Sequence, residues 1–448
     1  MENQSRRNFL KRTAAVLTVP WIVPAHTVTQ SAMAQNVPLP NDILRMGMIG
    51  TGRQCMAHNI PGFVRNVRNQ VVALCDVDSW RLEEAKKKVL ELYGQSVSLK
   101  KPASVDTYLD YKELLARSDI DAVMISTPDH WHTIQAVDAM RAGKHVSLEK
   151  PIIRTIAEGQ ELVKVSAETK RIFRVDSEFR SGKGAHRAAE LVRNGRLGKV
   201  KSVLVCVPET DVPCPPQPEM PVPKELDYER WQGPAPRAPY TANRVHPPQG
   251  WGRPGWMRRL EYCDGMVTNW GAHMMNGALW ALGLDRSFPT EIEATGTYPD
   301  RESFWNVPLK FEIKYKYASD TEIVFKTGEP YYRIEGEKGW LEVSFDWFQA
   351  IPGGIKGSSE ALLNEKIGDD EIRFPLRTEK EDFIDSVLTG GETLEPAIVG
   401  HCVTSTCLLG HIAVRTGEKL RWDPEKERFL GNPAAVKYFD EPITTSYD

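Results

Sequence analysis

The sequence predicts an α/β protein. A doubly wound parallel sheet occupies the N-terminal part, and a C-terminal α/β domain is built on an open, largely antiparallel sheet. Three observations carry this. Short apolar strands alternate with helical stretches from Leu44 to about Arg174. A glycine turn, Gly50-Thr51-Gly52, stands directly after the first of those strands. Beyond about Gly182 the pattern changes: Phe311, Ile313, Tyr315 and Tyr317 alternate with Glu312, Lys314 and Lys316, the period of a strand with one wet face.

A chain of 448 residues holds two or three domains at about 150 residues each. Apolar residues make up 41% and charged residues 26%, which excludes a disordered chain, a collagen-like chain and a small disulfide scaffold. The balance of 57 basic against 60 acidic side chains gives −3, so no basic excess points to nucleic acid. The boundaries expected are a leader over 1–34, a first domain over 40–180, a second over 181–430 with a proline-rich loop at 208–256, and a tail over 431–448.

The leader reads Ser5-Arg6-Arg7-Asn8-Phe9-Leu10-Lys11, then a mild apolar run from Thr13 to Val23, then Ala32-Met33-Ala34. Basic, apolar and small-residue regions in that order make an export signal. The paired arginines resemble a twin-arginine (Tat) signal, so the expectation is a periplasmic protein whose mature form starts near Gln35. The apolar run is too short for a span, contains Pro20 and stops at Pro24. No other apolar run approaches membrane length, so no span is expected in the mature form. The seven cysteines include no C-x-x-C pair; they read as mostly buried thiols with no zinc site.

The elements follow in order. Leu44–Ile49 is a strand that runs into Gly50-Thr51-Gly52-Arg53-Gln54-Cys55, a G-x-G-x-x-Cys variant of the dinucleotide fingerprint. Gly50 permits the tight turn. Gly52 lets the backbone approach a pyrophosphate seated on the following helix. Thr51 and Arg53 belong to the same turn. Gln70–Cys75 is a second strand, ended by Asp76. An acidic residue there accepts hydrogen bonds from a ribose diol and repels a 2′-phosphate, which favours NAD over NADP. The alternative is that Asp76 caps the helix from Ser79 to Tyr93. Ala122–Ser126 is a strand that ends in Thr127-Pro128-Asp129-His130-Trp131-His132, and His145–Leu148 another, ending in Glu149-Lys150-Pro151. Thr127, Pro128, His132, Glu149 and Lys150 thus join the cofactor end of a Rossmann-type sheet. A further strand begins at Arg171–Arg174 and leads to Arg180.

In the second half, Ala185–Arg193 is helical and Val200–Val207 a strand. Between Pro208 and Pro254 lie 13 of the 31 prolines, with Trp231, Tyr240 and Trp251 among them. Such a loop is usually a lid or binding loop; its rings either meet the apolar faces of sugars or pin the loop. Hairpins follow over 311–326 and 331–345, and helices over 382–388 and 399–416.

Asn269, His273 and Asn276 stand at i, i+4 and i+7, so they share one helical face. A histidine there can take a hydroxyl proton while hydride leaves the same carbon, and Lys150 can polarise the oxygen. The alternative for His273 is a hydrogen-bonded core residue. Arg180, Trp256 and Asn276 are the candidate substrate contacts. A metal is not expected, because no carboxylate shares that face.

These motifs resemble the glucose-fructose oxidoreductase/inositol dehydrogenase/MocA (Gfo/Idh/MocA) family, in its exported bacterial branch. The resemblance runs through Ile49-Gly50-Thr51-Gly52, Asp76, Thr127 to His132, Glu149-Lys150-Pro151, Gly265 to His273, and the stretch from Gly410 to Glu425. It implies a Rossmann domain, a C-terminal α/β domain on an open sheet, NAD, a carbohydrate substrate and a homo-oligomer, dimer or tetramer. It also implies that Lys150 and His273 act on the reacting alcohol. Asn269 and Asn276 stand where that family commonly has Asp, and an amide can orient His273 but cannot stabilise its protonated form. The readings implied are an NAD-dependent dehydrogenase of a sugar, cyclitol or glycoside, a redox-neutral glycosidase or lyase with captive NAD, and a non-catalytic sugar-binding relative.

Overall fold

The structure is a computed structural model that describes residues 43–209, 213–352 and 363–445. The leader, with Arg6, Arg7 and Ala32-Met33-Ala34, lies outside the described residues.

The first sheet contains β1 (Leu44–Ile49), β2 (Asn69–Cys75), β3 (Asp106–Tyr108), β4 (Ala122–Ile125), β5 (His145–Glu149) and β6 (Phe173–Asp176), all parallel, in the order β3-β2-β1-β4-β5-β6. Apart from the short, half-buried edge strand β3, these strands are largely buried, which is why they read as continuous apolar runs. A π-turn over Cys55–Asn59 leads into α1 (Ile60–Val64); α2 (Ser79–Gly94), α3 (Tyr111–Leu115), α4 (Asp129–Arg141) and α5 (Ile156–Thr169) flank the sheet. Cys55, standing where the fingerprint has its third glycine, is fully buried. The strand order reverses between β1 and β4, the place where such sheets bind ligands.

Helix α6 (Lys183–Arg193) leads to a second sheet of β7 (Val200–Val207), β8 (Glu291–Thr297), β9 (Lys310–Lys316), β10 (Glu322–Thr327), β11 (Tyr331–Gly336), β12 (Gly339–Val343), β13 (Phe348–Pro352), β14 (Leu420–Asp423) and β15 (Arg428–Phe429). Its order is β13-β12-β11-β7-β10-β9-β8-β14-β15. Neighbours run antiparallel except β7 and β10, where Val203 pairs with Ile323 in a parallel register. In β9, Phe311, Ile313 and Tyr315 are buried while the lysines and Glu312 face out.

Between β7 and β8 stand α7 (Tyr228–Gln232), α8 (Met266–Asn269) and α9 (Gly271–Leu282); α10 (Glu379–Thr389) and α11 (Ala397–Thr416) follow the sheet's hairpins. By length and composition α11 could cross a membrane, contrary to the expectation of no such run, but 89% of its apolar stretch is buried inside the fold. It packs against α5, α9 and β8.

Helix α10 does not stay with the second domain. Its Phe383 and Ile384 enter the apolar core around β1 and β2, and Phe383 meets Phe63 edge to face at 6.3 Å. Asp382 accepts from Arg174 Nε at 2.9 Å, and Lys380 donates to Asp176 at 2.8 Å. All seven cysteines are buried as free thiols.

Candidate active site

A cavity of about 500 Å³ opens where β1 and β4 end. Gly50 has φ +82°, and a Cβ there would stand 2.7 Å from the backbone at Ser126 and Thr127, so only glycine fits. A Cβ on Gly52 would meet nothing within 4 Å and would fill cavity space instead. The turn therefore keeps open the space that a pyrophosphate needs.

Asp76 Oδ2 accepts from Thr51 N at 2.6 Å and from Thr51 Oγ1 at 3.0 Å. Thr51 is fully buried and does not line the cavity; it holds Asp76. The helix cap is Asp78, which accepts from Trp80 N and Arg81 N. Asp76 is thus left at the strand end, facing the cavity beside Gly52 and Arg53. Thr127 and Pro128 line the same space, and Thr127 Oγ1 donates to Gln135 at 2.7 Å. The glycine turn, the open cradle at Gly52 and the carboxylate at the end of β2 fit NAD.

His132 is buried with both ring nitrogens 2.7 Å from carbonyls, Nδ1 from Pro151 and Nε2 from Thr127. Burial pushes its pKa down to about 4, against those two acceptors, which favour the charged ring. The ring ties the end of β4 to the turn that carries Lys150. Glu149 accepts from Asn59 at 2.9 Å; burial raises its pKa, and nearby Asp176 adds to the effect.

Lys150 is half-buried and lines the cavity with Asn269 and Trp256. The expected single helical face is corrected here. The helix breaks at Trp270, so Asn269 ends α8 while His273 and Asn276 lie on α9. Gly271 brings α9 so close to α11 that a Cβ would stand 2.7 Å from Cys407 Sγ. His273 is 6% exposed and shares a 3.1 Å hydrogen bond between its Nδ1 and Ser177 Oγ. Burial, helped by the charge of Lys150, holds its pKa well below 6.5. It stands behind the cavity, not among its lining residues.

Arg180 and Asn276 are also placed away from the cavity. Arg180 donates to Asn276 Oδ1 at 2.8 Å from Nε and 2.6 Å from Nη2, and pairs with Asp285 at 2.9 Å. Asn276 Nδ2 donates to Glu395 at 2.8 Å. Both side chains are consumed in a buried polar network, because a buried charge must be compensated where it stands.

The proline-rich segment packs over the cofactor end. Trp231 and Tyr240 join Val245 and Tyr262 in a small apolar cluster, so these rings pin the loop. Trp251 lies 5.3 Å from Trp80, and the Arg81 guanidinium covers it at 5.1 Å. Arg81 also donates to Pro247 O at 2.8 Å, and Trp131 Nε1 to Trp231 O at 3.0 Å. Trp231, one of the loop rings noted in the sequence, also lines the cavity, as do Arg81, His246 and Asp129, which the sequence reading gave no role. Asp129 stood inside a motif already noted, so its charge was the available signal. Among the described residues no cluster of His, Cys, Asp and Glu could hold a metal ion.

Comparisons with known proteins agree with this architecture. Residues 44–177 match the family model described as "Oxidoreductase family, NAD-binding Rossmann fold", and residues 215–448 its "C-terminal alpha/beta domain". A Shewanella oneidensis protein named alpha-N-acetylgalactosaminidase is 28% identical over 214 residues, 45% of this chain and 45% of that protein. The match therefore spans less than half the length of such curated relatives. The WlbA dehydrogenase of Chromobacterium violaceum, solved with NADH and UDP-GlcNAcA, is 18% identical with a TM-score of 0.63, covering 87% of this chain and 99% of that one. The aldose-aldose oxidoreductase of Caulobacter crescentus is 19% identical with a TM-score of 0.59, covering 85% and 99%. At these identities the solved structures share the fold.

Proposed function

Because the chain belongs to the Gfo/Idh/MocA oxidoreductase family and carries its NAD-binding Rossmann domain, we propose that it moves hydride between the nicotinamide and a hydroxyl-bearing carbon of a sugar, cyclitol or glycoside. The observation that carries this reading is the meeting, in one cavity, of Lys150 from the first domain with Asn269 and Trp256 from the second. NAD, when bound, supplies the hydride acceptor.

The glycine turn holds the pyrophosphate and Asp76 the ribose diol. Thr127, Pro128, His132 and Glu149 shape the wall between cofactor and substrate. Lys150 polarises the reacting oxygen as a fixed cation, and His273 supports the proton transfer from behind it. Trp256 offers a ring face to the apolar side of a sugar. The test is absorbance of reduced nicotinamide when the purified protein meets NAD with levoglucosan, myo-inositol or N-acetylgalactosaminides. Turnover that requires Lys150 supports the reading. No reduction, and no cleavage of any glycoside, overturns it.

The packing of the proline-rich segment over the cofactor end favours a second reading, a redox-neutral reaction with captive NAD. Curated relatives named for glycosyl hydrolysis point the same way. Glycoside cleavage without accumulation of reduced nicotinamide would select it. We also propose export through Arg6-Arg7, tested by changing both to lysine and following the protein to the periplasm. A homo-oligomer is proposed from the same family membership, and light scattering tests it.

A further inference from the structure

Asp129 opens α4 directly behind β4. It lines the same cavity as Lys150 and Asn269, yet the residue is 3% exposed and its Oδ2 is buried with no hydrogen-bond partner. An ionised carboxylate in that position gives up most of its hydration, and its own backbone N–H is the one hydrogen-bond donor that favours the charge. The charged and titratable groups facing it are Lys150 beyond β5, Arg154 ahead of α5, and Cys263 and Asp264 ahead of α8. Arg154 is already committed: its Nε donates to Asp264 at 3.0 Å and its Nη2 to the carbonyls of Leu260 and Ile443. Lys150 Nζ donates to the carbonyl of Asn269. Burial therefore prevails over both cations and pushes the Asp129 carboxyl up to about 8. At neutral pH the group is mostly a neutral acid with a minor ionised fraction, the state that suits a residue that must both give and take a proton.

We propose that Asp129 is a further catalytic residue, a carboxyl that exchanges a proton with the substrate oxygen held at Lys150. The proposal rests on the hydride-transfer reading above. In oxidation, the carbon loses hydride to the nicotinamide cofactor, the O–H bond breaks, its proton passes to the carboxylate of Asp129, and the remaining C–O bond becomes C=O. In reduction, the carbonyl carbon takes hydride while its oxygen takes the proton of the neutral acid. His273 alone does not fill this role, because its Nδ1 is engaged with Ser177 and its ring does not line the cavity.

The test uses the full chain, its Asp129→Asn variant and its Asp129→Glu variant in two measurements. The first is an infrared titration with NAD and no sugar. The wild type is expected to show a protonated-carboxyl band at neutral pH that disappears as pH rises through about 8 and that Asp129→Asn lacks. Absence of such a band overturns the proposal whatever the substrate is. The second is the pH–rate profile of NAD reduction with levoglucosan and myo-inositol. Asp129→Asn is expected to lower kcat by about 10²–10⁴-fold with NAD affinity unchanged, and Asp129→Glu to restore part of the rate with a displaced profile. An Asp129→Asn variant with wild-type kcat and profile overturns the proposal and leaves the hydride-transfer reading standing. A wild type that oxidises no sugar yet shows the band overturns the hydride-transfer reading, and the catalytic role with it; the intact band distinguishes this failure from the first.

Discussion

Lys150 Nζ donates to the backbone carbonyl of Asn269 at 3.3 Å, joining the end of β5 to the end of α8 across 119 residues of chain. The ammonium is therefore aimed by backbone, and the side chain at position 269 remains free to face the cavity. Replacing Lys150 with Ala should remove the cation that polarises the reacting oxygen and lower kcat by about 10²–10³-fold. Arginine should not rescue it, since its planar fork needs different space. Steady-state kinetics check both, with circular dichroism to confirm the fold.

Asn269→Asp keeps that carbonyl, so the domain contact should survive. A carboxylate there would favour the charged form of His273 and counter the downward push of Lys150. The His273 pKa should move up and turnover at neutral pH should be kept or raised. Ring resonances of His273 in a pH titration, alongside kcat, decide this.

Asp76→Ala should narrow the preference for NAD over NADP. It removes the acceptor for the ribose diol and the charge that repels a 2′-phosphate, and it frees Thr51 N–H and Oγ1, which now donate to it. A lost hydrogen bond to a charged group is worth about 1.5–3 kcal/mol, roughly a 10- to 100-fold loss in NAD affinity. Calorimetric titration with each cofactor measures it.

Arg180→Ala should act on stability and not on the cofactor. It leaves Asp285 without its partner at 2.9 Å and takes one of two nearby cations from Glu395, where Arg174 remains. Breaking a buried pair from one side costs about 3–5 kcal/mol. Denaturant unfolding should show that loss, and NAD binding to the folded fraction should be unchanged.

The chain should lose stability in acid through Asp264. Burial pushes this carboxyl up, but Arg154 at 3.0 Å and His411 at 2.9 Å hold it below its ordinary value. A depressed folded pKa contributes stability above the ordinary carboxylate range of about 4 and loses it as pH falls through the folded value. Asp264→Asn should already be destabilised at neutral pH and show a flatter acid limb. Thermal melts across acidic pH test the sign.

The sequence discloses what is local. Gly50 and Gly52 after a buried strand, and Asp76 ending the next, mark the cofactor crevice because each turn position constrains its own residue type. Helix and strand periods give most elements of both sheets. Partners far along the chain leave no such mark. Arg180 and Asn276 are 96 positions apart, and Asn276 and Glu395 are 119 apart, so a buried network looked like substrate contacts. The break at Trp270 was hidden because Gly271 and Gly277 both stand in an otherwise helical run and only the first adjoins a break, while the close approach of Gly271 to α11 is a tertiary contact. Asp129 was overlooked because a carboxylate at the start of a helix is ordinarily a stabilising surface feature. Burial changes its chemistry, and burial is a tertiary property.

The return of α10 to the first sheet has a consequence for biogenesis. A ribosome that has delivered β1 through β6 has not delivered a finished folding unit. Phe63 still lacks Phe383, and Arg174 and Asp176 still lack Asp382 and Lys380. The nascent N-terminal half must wait, with greasy surface and unmatched charge uncovered, until about two hundred further residues have emerged. A gene truncated between the two family segments would yield an aggregating stump, and chaperone demand should peak in that interval of translation.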